Sequence, residues 1–205
     1  MTATKVDFKK TLDAYRATSG TFRVIEVPPT QYLMVDGHGD PNTVPFAEAI
    51  TTLYPVAYKL KFASKAEGRD YVVMPLEALW SAPDMAAFTS RRDKSQWDWT
   101  LLIMVPDWTT PAAFREAVDT VAAGDPPPRL GDVRLETLDE GRSVQTLHLG
   151  PFDDEGPTLA RLHDDFIPDQ GFRMSGRHHE IYLSDLRKTE PSKLRTILRQ
   201  PVAPR

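Results

Sequence analysis

The sequence predicts an α+β fold of two repeated βαββ units that form antiparallel sheets, with helices packed on one side and a central groove. Three observations carry this prediction. The order strand, helix, strands occurs twice along 205 residues. A break rich in glycine and proline, Gly124 to Pro128, divides the two occurrences. The composition, 40% hydrophobic and 26% charged, is that of an ordinary globular chain. On this basis residues 1–20 hold an N-terminal helix and 21–123 a first unit with a connecting helix. Residues 124–131 are a linker, and 132–205 a second unit ending in a C-terminal helix.

Phe8, Leu12 and Tyr15 recur three or four apart among basic residues, the pattern of a helix lying on the outside of the body. After Gly20, FRVIEV and QYLMVDG read as strands separated by Pro28-Pro29. From Val44, the residues Phe46, Ala49, Ile50, Leu53 and Ala57 keep helical spacing. Pro55 within that run is expected to kink the helix or end its first half. Strands are expected from Tyr71 to Trp80 and from Gln96 to Val105, with FTSRRDKS as the loop between them. Thr110-Pro111 opens a helix carrying Phe114, Ala117, Val118 and Val121. In the second unit VRLETL, SVQTLHLG and HHEIYLSD read as strands around a helix through Leu159, Leu162 and Phe166. Thr189-Glu190-Pro191 is expected to open a closing helix whose Leu194, Ile197 and Leu198 face inward.

A formal charge of −4 supplies no excess of cations to displace counterions from a phosphate backbone, which disfavours direct nucleic-acid binding. The absence of cysteine excludes disulfides, thiolate chemistry and thiolate-ligated metals. No apolar stretch approaches the roughly 20 residues that span a bilayer, and the start lacks a signal peptide's apolar core, so the expectation is a cytoplasmic chain without a membrane partner. His178 and His179 are adjacent and point to opposite faces of a strand, and no metal-binding helical spacing occurs; no metal and no cofactor are expected. Glycine-rich phosphate loops and a nucleophile elbow are absent from the sequence.

The candidate site residues lie on strands. Glu180 shares a face with His178 and Tyr182, whereas Glu77 shares one with Tyr71 and Leu79. A lone strand glutamate usually sits on a wet sheet surface. Two at matching places in the repeats point instead to carboxylates converging on a dry cleft, where each needs a raised pKa or a cationic partner. Tyr32, Tyr71, Trp80, Trp97 and Trp99 supply rings that either fill the core or stack on a flat, cationic ligand.

KVDFKKTLDAYRA, GTFRVIEVPPTQYLMVDGHGDPN, YVVMPLEALW, WDWTLLIMVPDW and HHEIYLSDLRKTEPSKLRTILRQPV together resemble stand-alone GyrI-like proteins over nearly the full chain. The resemblance implies the duplicated fold of multidrug-regulator effector domains, whose groove takes bulky amphipathic or cationic aromatic small molecules. It implies a ligand-contacting glutamate at Glu180 in the E-x-Y strand. Some stand-alone members are similar to cyclopropanoid cyclohydrolases, hydrolases that add water to strained-ring genotoxins and so detoxify them. That implies a catalytic role for Glu180, with Tyr182 suited to donate a proton; on the strand reading above, Glu77, Tyr32, Tyr71, Trp80, Trp97, Trp99 and His178 are the candidates for ligand binding. The alternatives are a drug-sequestering protein without catalysis and a gyrase-contacting inhibitor, as monomer or homodimer. Ser81, where relatives carry a second tryptophan, and Pro55 depart from the family pattern.

Overall fold

Residues rich in β-branched and aromatic side chains form nine strands in the computed structural model, which describes residues 4–88, 91–185 and 188–205. In chain order they are β1 (Arg23–Val27), β2 (Thr30–His38), β3 (Leu76–Ser81), β4 (Asp98–Met104), β5 (Arg134–Leu138), β6 (Gly141–Leu149), β7 (Phe172–Met174), β8 (His178–Tyr182) and β9 (Arg195–Pro204). The helices are α1 (Phe8–Thr11), α2 (Val44–Ala66), α3 (Pro111–Ala122) and α4 (Gly156–Ala160); α4 runs through a π turn, Arg161–Phe166, into α5 (Ile167–Asp169).

The main sheet has the order β1-β6-β9-β8-β3-β4-β2-β5, which reads the same from both ends once each strand is exchanged for its counterpart in the other repeat. β1 and β2 recur as β5 and β6, each 111 residues further on. All pairings are antiparallel. Val27 pairs with Gly141 and Thr30 with Leu138, so the two ladders continue in one register across Pro28-Pro29 and Asp139-Glu140. The duplicated architecture is thus two halves that exchange their first strands and meet at β3 and β8, with the sheet curling back on itself.

Helices cover one face. Phe46 of α2 stacks on Trp80, with centroids 5.9 Å apart, and meets Trp99 edge-on at 4.9 Å. In the second half Leu162 and Ile167 pack on Val144 and Leu198. Leu198 stands opposite both Thr146 and Glu180, and opposed residues in a ladder share a face, so both helical layers lie on the side that carries Trp80, Trp99 and Glu180.

Several expectations are corrected. The closing segment forms a short turn, Pro191–Lys193, and then the ten-residue β9 instead of a helix. β9 lies between β6 and β8 and is buried on both faces, Arg199 and Gln200 included, so it carries no polar–apolar alternation to separate strand from helix. α2 is continuous for 23 residues through Pro55. Burial of Leu53, Val56, Ala57 and Leu60 outweighs the roughly 3 kcal/mol that an interior proline costs. The N-terminal helix is only four residues long, and Tyr15 beyond it enters the core. β3 begins at Leu76, after Pro75, and Tyr71 makes an isolated bridge with Val6. β4 begins at Asp98, with Lys94–Gln96 in a 3-10 turn. Part of the expected loop FTSRRDKS, Thr89 and Ser90, lies outside the described residues.

Candidate functional site

Alternation along β3 and β8 separates the two glutamates. Glu180 stands opposite Ala78, and Glu77 opposite Ile181. Adjacent residues on one strand point to opposite faces, so Glu180 lies under the helices while Glu77 lies on the far face. The expected convergence of the two carboxylates does not occur. By position and face, Glu77 matches His179 in the other repeat, and Glu180 matches Ala78.

On the far face Glu77 is fully buried and accepts from the Tyr15 hydroxyl at 2.6 Å. It lies 2.9 Å from His179 Nε2, and His179 Nδ1 meets Glu140 at 2.9 Å. Arg199 donates to Glu140 at 2.7 Å, to Gln145 at 3.0 Å and to the Ala14 carbonyl at 2.6 Å. Burial alone would depress His179, but the neighbouring carboxylates, Glu140 foremost, carry it up to about 8. Burial would raise Glu140, yet the His179 and Arg199 charges hold it at about 2. Two carboxylates face two cations without access to solvent. Tyr32 is on this face as well, edge-on to His179 at 6.4 Å, with its hydroxyl pushed upward by burial. This network fixes the N-terminal segment, the strand crossing at Glu140 and both halves to one another.

The helix face is electrically different. The Tyr182 hydroxyl donates to Glu180 at 2.8 Å, and His178 Nε2 lies 3.7 Å from the same carboxylate. Burial drives His178 down to about 3, so it is neutral, and burial also lowers His163, whose ring meets it at 5.6 Å. Among the described residues no lysine or arginine comes within 4.0 Å of Glu180, whose side chain is 13% exposed. Burial therefore pushes its pKa upward, moderated by Tyr182 and by the nearby Trp80 indole. Glu155, 4% exposed, comes from the turn before α4; burial and then the Glu180 charge raise it too. Two desolvated carboxylates, with no lysine or arginine within 4.0 Å of either among the described residues, thus act on one another, a pairing that favours one proton between them.

Among the described residues Glu155 Oε1 and His163 Nε2, both buried on this side, lack a hydrogen-bond partner. Buried polar groups are nearly always satisfied, so these atoms mark a place that suits a polar partner. Phe152, over one third exposed, meets Tyr182 at 5.4 Å and is the outermost ring of the site.

The remaining rings divide. Trp80 packs against Trp97 at 5.6 Å, and Trp97 donates to the Ala87 carbonyl and stacks on Phe88. Trp97 precedes β4 instead of sharing it with Trp99. Trp99 is core: it is 1% exposed and donates to the Gly39 carbonyl at 3.2 Å. It also lies so close over Gly37 that a Cβ there would be 2.0 Å from the ring. Tyr71 is away from both faces' clusters, packed with Phe8 and Trp108. The structure therefore brings Glu180, Tyr182, Trp80, His178 and, behind Trp80, Trp97 together. It does not bring Glu77, Tyr32 or Tyr71 to them, while Trp99, opposite Trp80 on the same face, is sealed as core under Phe46 and Gly37. Sequence reasoning missed Glu155, His163 and Phe152; the acid beside Gly156-Pro157 at a helix start was the one available signal.

Among the described residues no group of three or more His, Cys, Asp or Glu side chains is placed to hold a metal ion, and no helix is long and apolar enough to cross a membrane.

A family model for the GyrI-like small molecule binding domain matches residues 100–203. Among solved structures, an uncharacterized conserved protein from Listeria innocua is 36% identical, with 97% of this chain and 100% of that one covered and a TM-score of 0.88. A hydrolase from Listeria innocua is 35% identical over 97% and 100% of the two chains, with a TM-score of 0.83. The EcmrR C-terminal domain, 14% identical over 90% and 98%, shares the fold at a TM-score of 0.57. No curated protein matches. With its duplicated sheet and these full-length relatives, the chain belongs to the GyrI-like small-molecule-binding domain family.

Proposed function

We propose that the chain binds bulky amphipathic or cationic aromatic molecules on the helix face beside Glu180, and that it adds water to electrophilic cyclopropane-bearing members of that class. One observation carries the reading: Glu180 is desolvated, hydrogen-bonded by Tyr182, and lacks a cation within 4.0 Å among the described residues. A buried carboxylate in that state favours a ligand that brings positive charge, and the Phe152 ring, over one third exposed beside Tyr182, offers a flat face to it. The description of the 35%-identical Listeria innocua protein as a hydrolase supports the catalytic part.

In the reaction the ionised Glu180 carboxylate takes a proton from water while the water oxygen bonds to a cyclopropane carbon. The strained carbon–carbon bond breaks, its electron pair moves into the conjugated ring system, and the resulting phenolate takes a proton from Tyr182. The 2.8 Å contact between Tyr182 and Glu180 then returns the proton, so one water is added and both side chains end as they began. Burial assists because a carboxylate with a raised pKa is the stronger base once ionised. Glu155 next to it serves as a second proton reservoir.

The test is incubation of the protein with a cyclopropapyrroloindole compound, followed by mass spectrometry. The expected product carries one added water, with turnover lost in Glu180→Gln. Product formation that is absent, or equal in the two proteins, overturns the catalytic reading; saturable binding without product would assign a sequestering role.

A further inference from the structure

We propose a second binding site for an oxyanion-bearing metabolite, a phosphate or carboxylate, between β6 and the helical segment that begins with α4, lined by none of Glu180, Tyr182 and Glu155. A cavity of about 230 Å3 opens between the segment ahead of β1, strand β6 and the helical segment of the second repeat. Ser19, Phe22, Thr146, His148, Thr158 and Arg161 line it. No aspartate or glutamate does.

The lining is suited to an anion. Three residues with hydroxyls, Ser19, Thr146 and Thr158, and one guanidinium border it, and each can donate to oxygen. Arg161 stands over the Phe22 ring at 5.2 Å, and among the described residues no carboxylate lies within 4.0 Å of it. The ring holds the cation at the mouth of the cavity without neutralising it. His148 forms one wall, with Nε2 donating to the Pro151 carbonyl at 3.1 Å. Independently, Thr146 is fully buried, and its hydroxyl has no hydrogen-bond partner. An orphaned donor in the wall of a cavity is a group whose partner belongs in that cavity.

Size limits the occupant. The volume falls below the roughly 300–1,000 Å3 of pockets for drug-sized ligands. The cavity admits an oxyanion with a small organic group attached.

The test uses the full chain, titrated with inorganic phosphate, phenyl phosphate, benzoate and the neutral benzyl alcohol, followed by calorimetry and amide chemical shifts. At least one anion should saturate, with shifts at 146–149 and 158–161. Arg161→Gln and Thr146→Val should each weaken it about tenfold or more, since a hydrogen bond to a charged group contributes about 1.5–3 kcal/mol. Thr146→Val should leave the melting temperature of the ligand-free protein unchanged or raised, because its hydroxyl bonds nothing in the chain. Saturation by phosphate alone assigns a free anion, whereas a requirement for the ring assigns an ester or acid. Benzyl alcohol binding as tightly as the anions, no saturation by any anion, or unchanged affinity in both variants overturns the proposal.

Discussion

Replacing Glu140 by glutamine should destabilise the chain by about 3 kcal/mol at neutral pH and remove most of its alkaline pH dependence. Glu140 is the hinge of the far-face network, bonded to Arg199 at 2.7 Å and to His179 at 2.9 Å with 3% of its side chain exposed. Burial would raise its pKa, but its two cationic neighbours hold it at about 2, against an ordinary 4.5. At 1.36 kcal/mol per unit that difference corresponds to about 3 kcal/mol, the lower end of what losing one partner of a buried pair costs. This contribution is present above pH 4.5 and is lost as pH falls through about 2. His179 acts with the opposite sign. Its pKa is carried from 6.5 up to about 8, so its contribution, about 2 kcal/mol, is complete below pH 6.5 and is lost as pH rises through about 8. Urea unfolding of both proteins across this range measures the two effects together. The wild type should lose stability between about pH 6.5 and pH 8.5, and Glu140→Gln should lose little over the same span. Equal slopes would refute the assignment of the raised His179 pKa to Glu140.

Gly37→Ala should lower stability by about 1–3 kcal/mol in a thermal melt, because the added Cβ meets the buried Trp99 ring at 2.0 Å and overpacks the core. Binding of a cationic dye should strengthen as pH rises through neutrality, since Glu180 ionises only above the usual carboxylate range; affinity already constant from about pH 5 upward would contradict its burial. Tyr182→Phe removes the hydroxyl donated to that carboxylate, so the pH midpoint of dye binding should move upward, and an unchanged midpoint would detach Tyr182 from Glu180.

Most strands were legible because β1, β2, β5 and β6 are short apolar-containing runs bounded by prolines and glycines. β9 was not, since Leu194, Ile197 and Leu198 fall at helical spacing behind Thr189-Glu190-Pro191, and burial of Arg199 and Gln200 along with the apolar residues leaves no alternation to mark a strand. Glu180, Tyr182 and His178 were placed on one face by alternation alone, and the structure keeps them there. Glu77 was misplaced for a reason that alternation cannot repair: it fixes faces within a strand, but which face of β3 continues which face of β8 depends on register, here Ala78 opposite Glu180. Glu140, Tyr15 and Arg199 are 39 or more residues from the partners they meet on the far face, and nothing local marks them. Glu155 sits in a turn, where an acidic residue ordinarily reads as solvated; only the layer of helix above β8 and β9 makes it a buried acid.

The most direct measurement compares wild type and Glu180→Gln in binding a flat cationic dye, followed by quenching of tryptophan fluorescence, with Trp80 as the reporter beside the carboxylate. Saturable quenching is expected, at least about tenfold weaker in the variant, as loss of a desolvated charge requires. The variant itself should melt no lower than wild type, since the charge it removes lacks a cation among the described residues. Equal dye affinity in the two proteins would contradict Glu180 as the ligand's anchor.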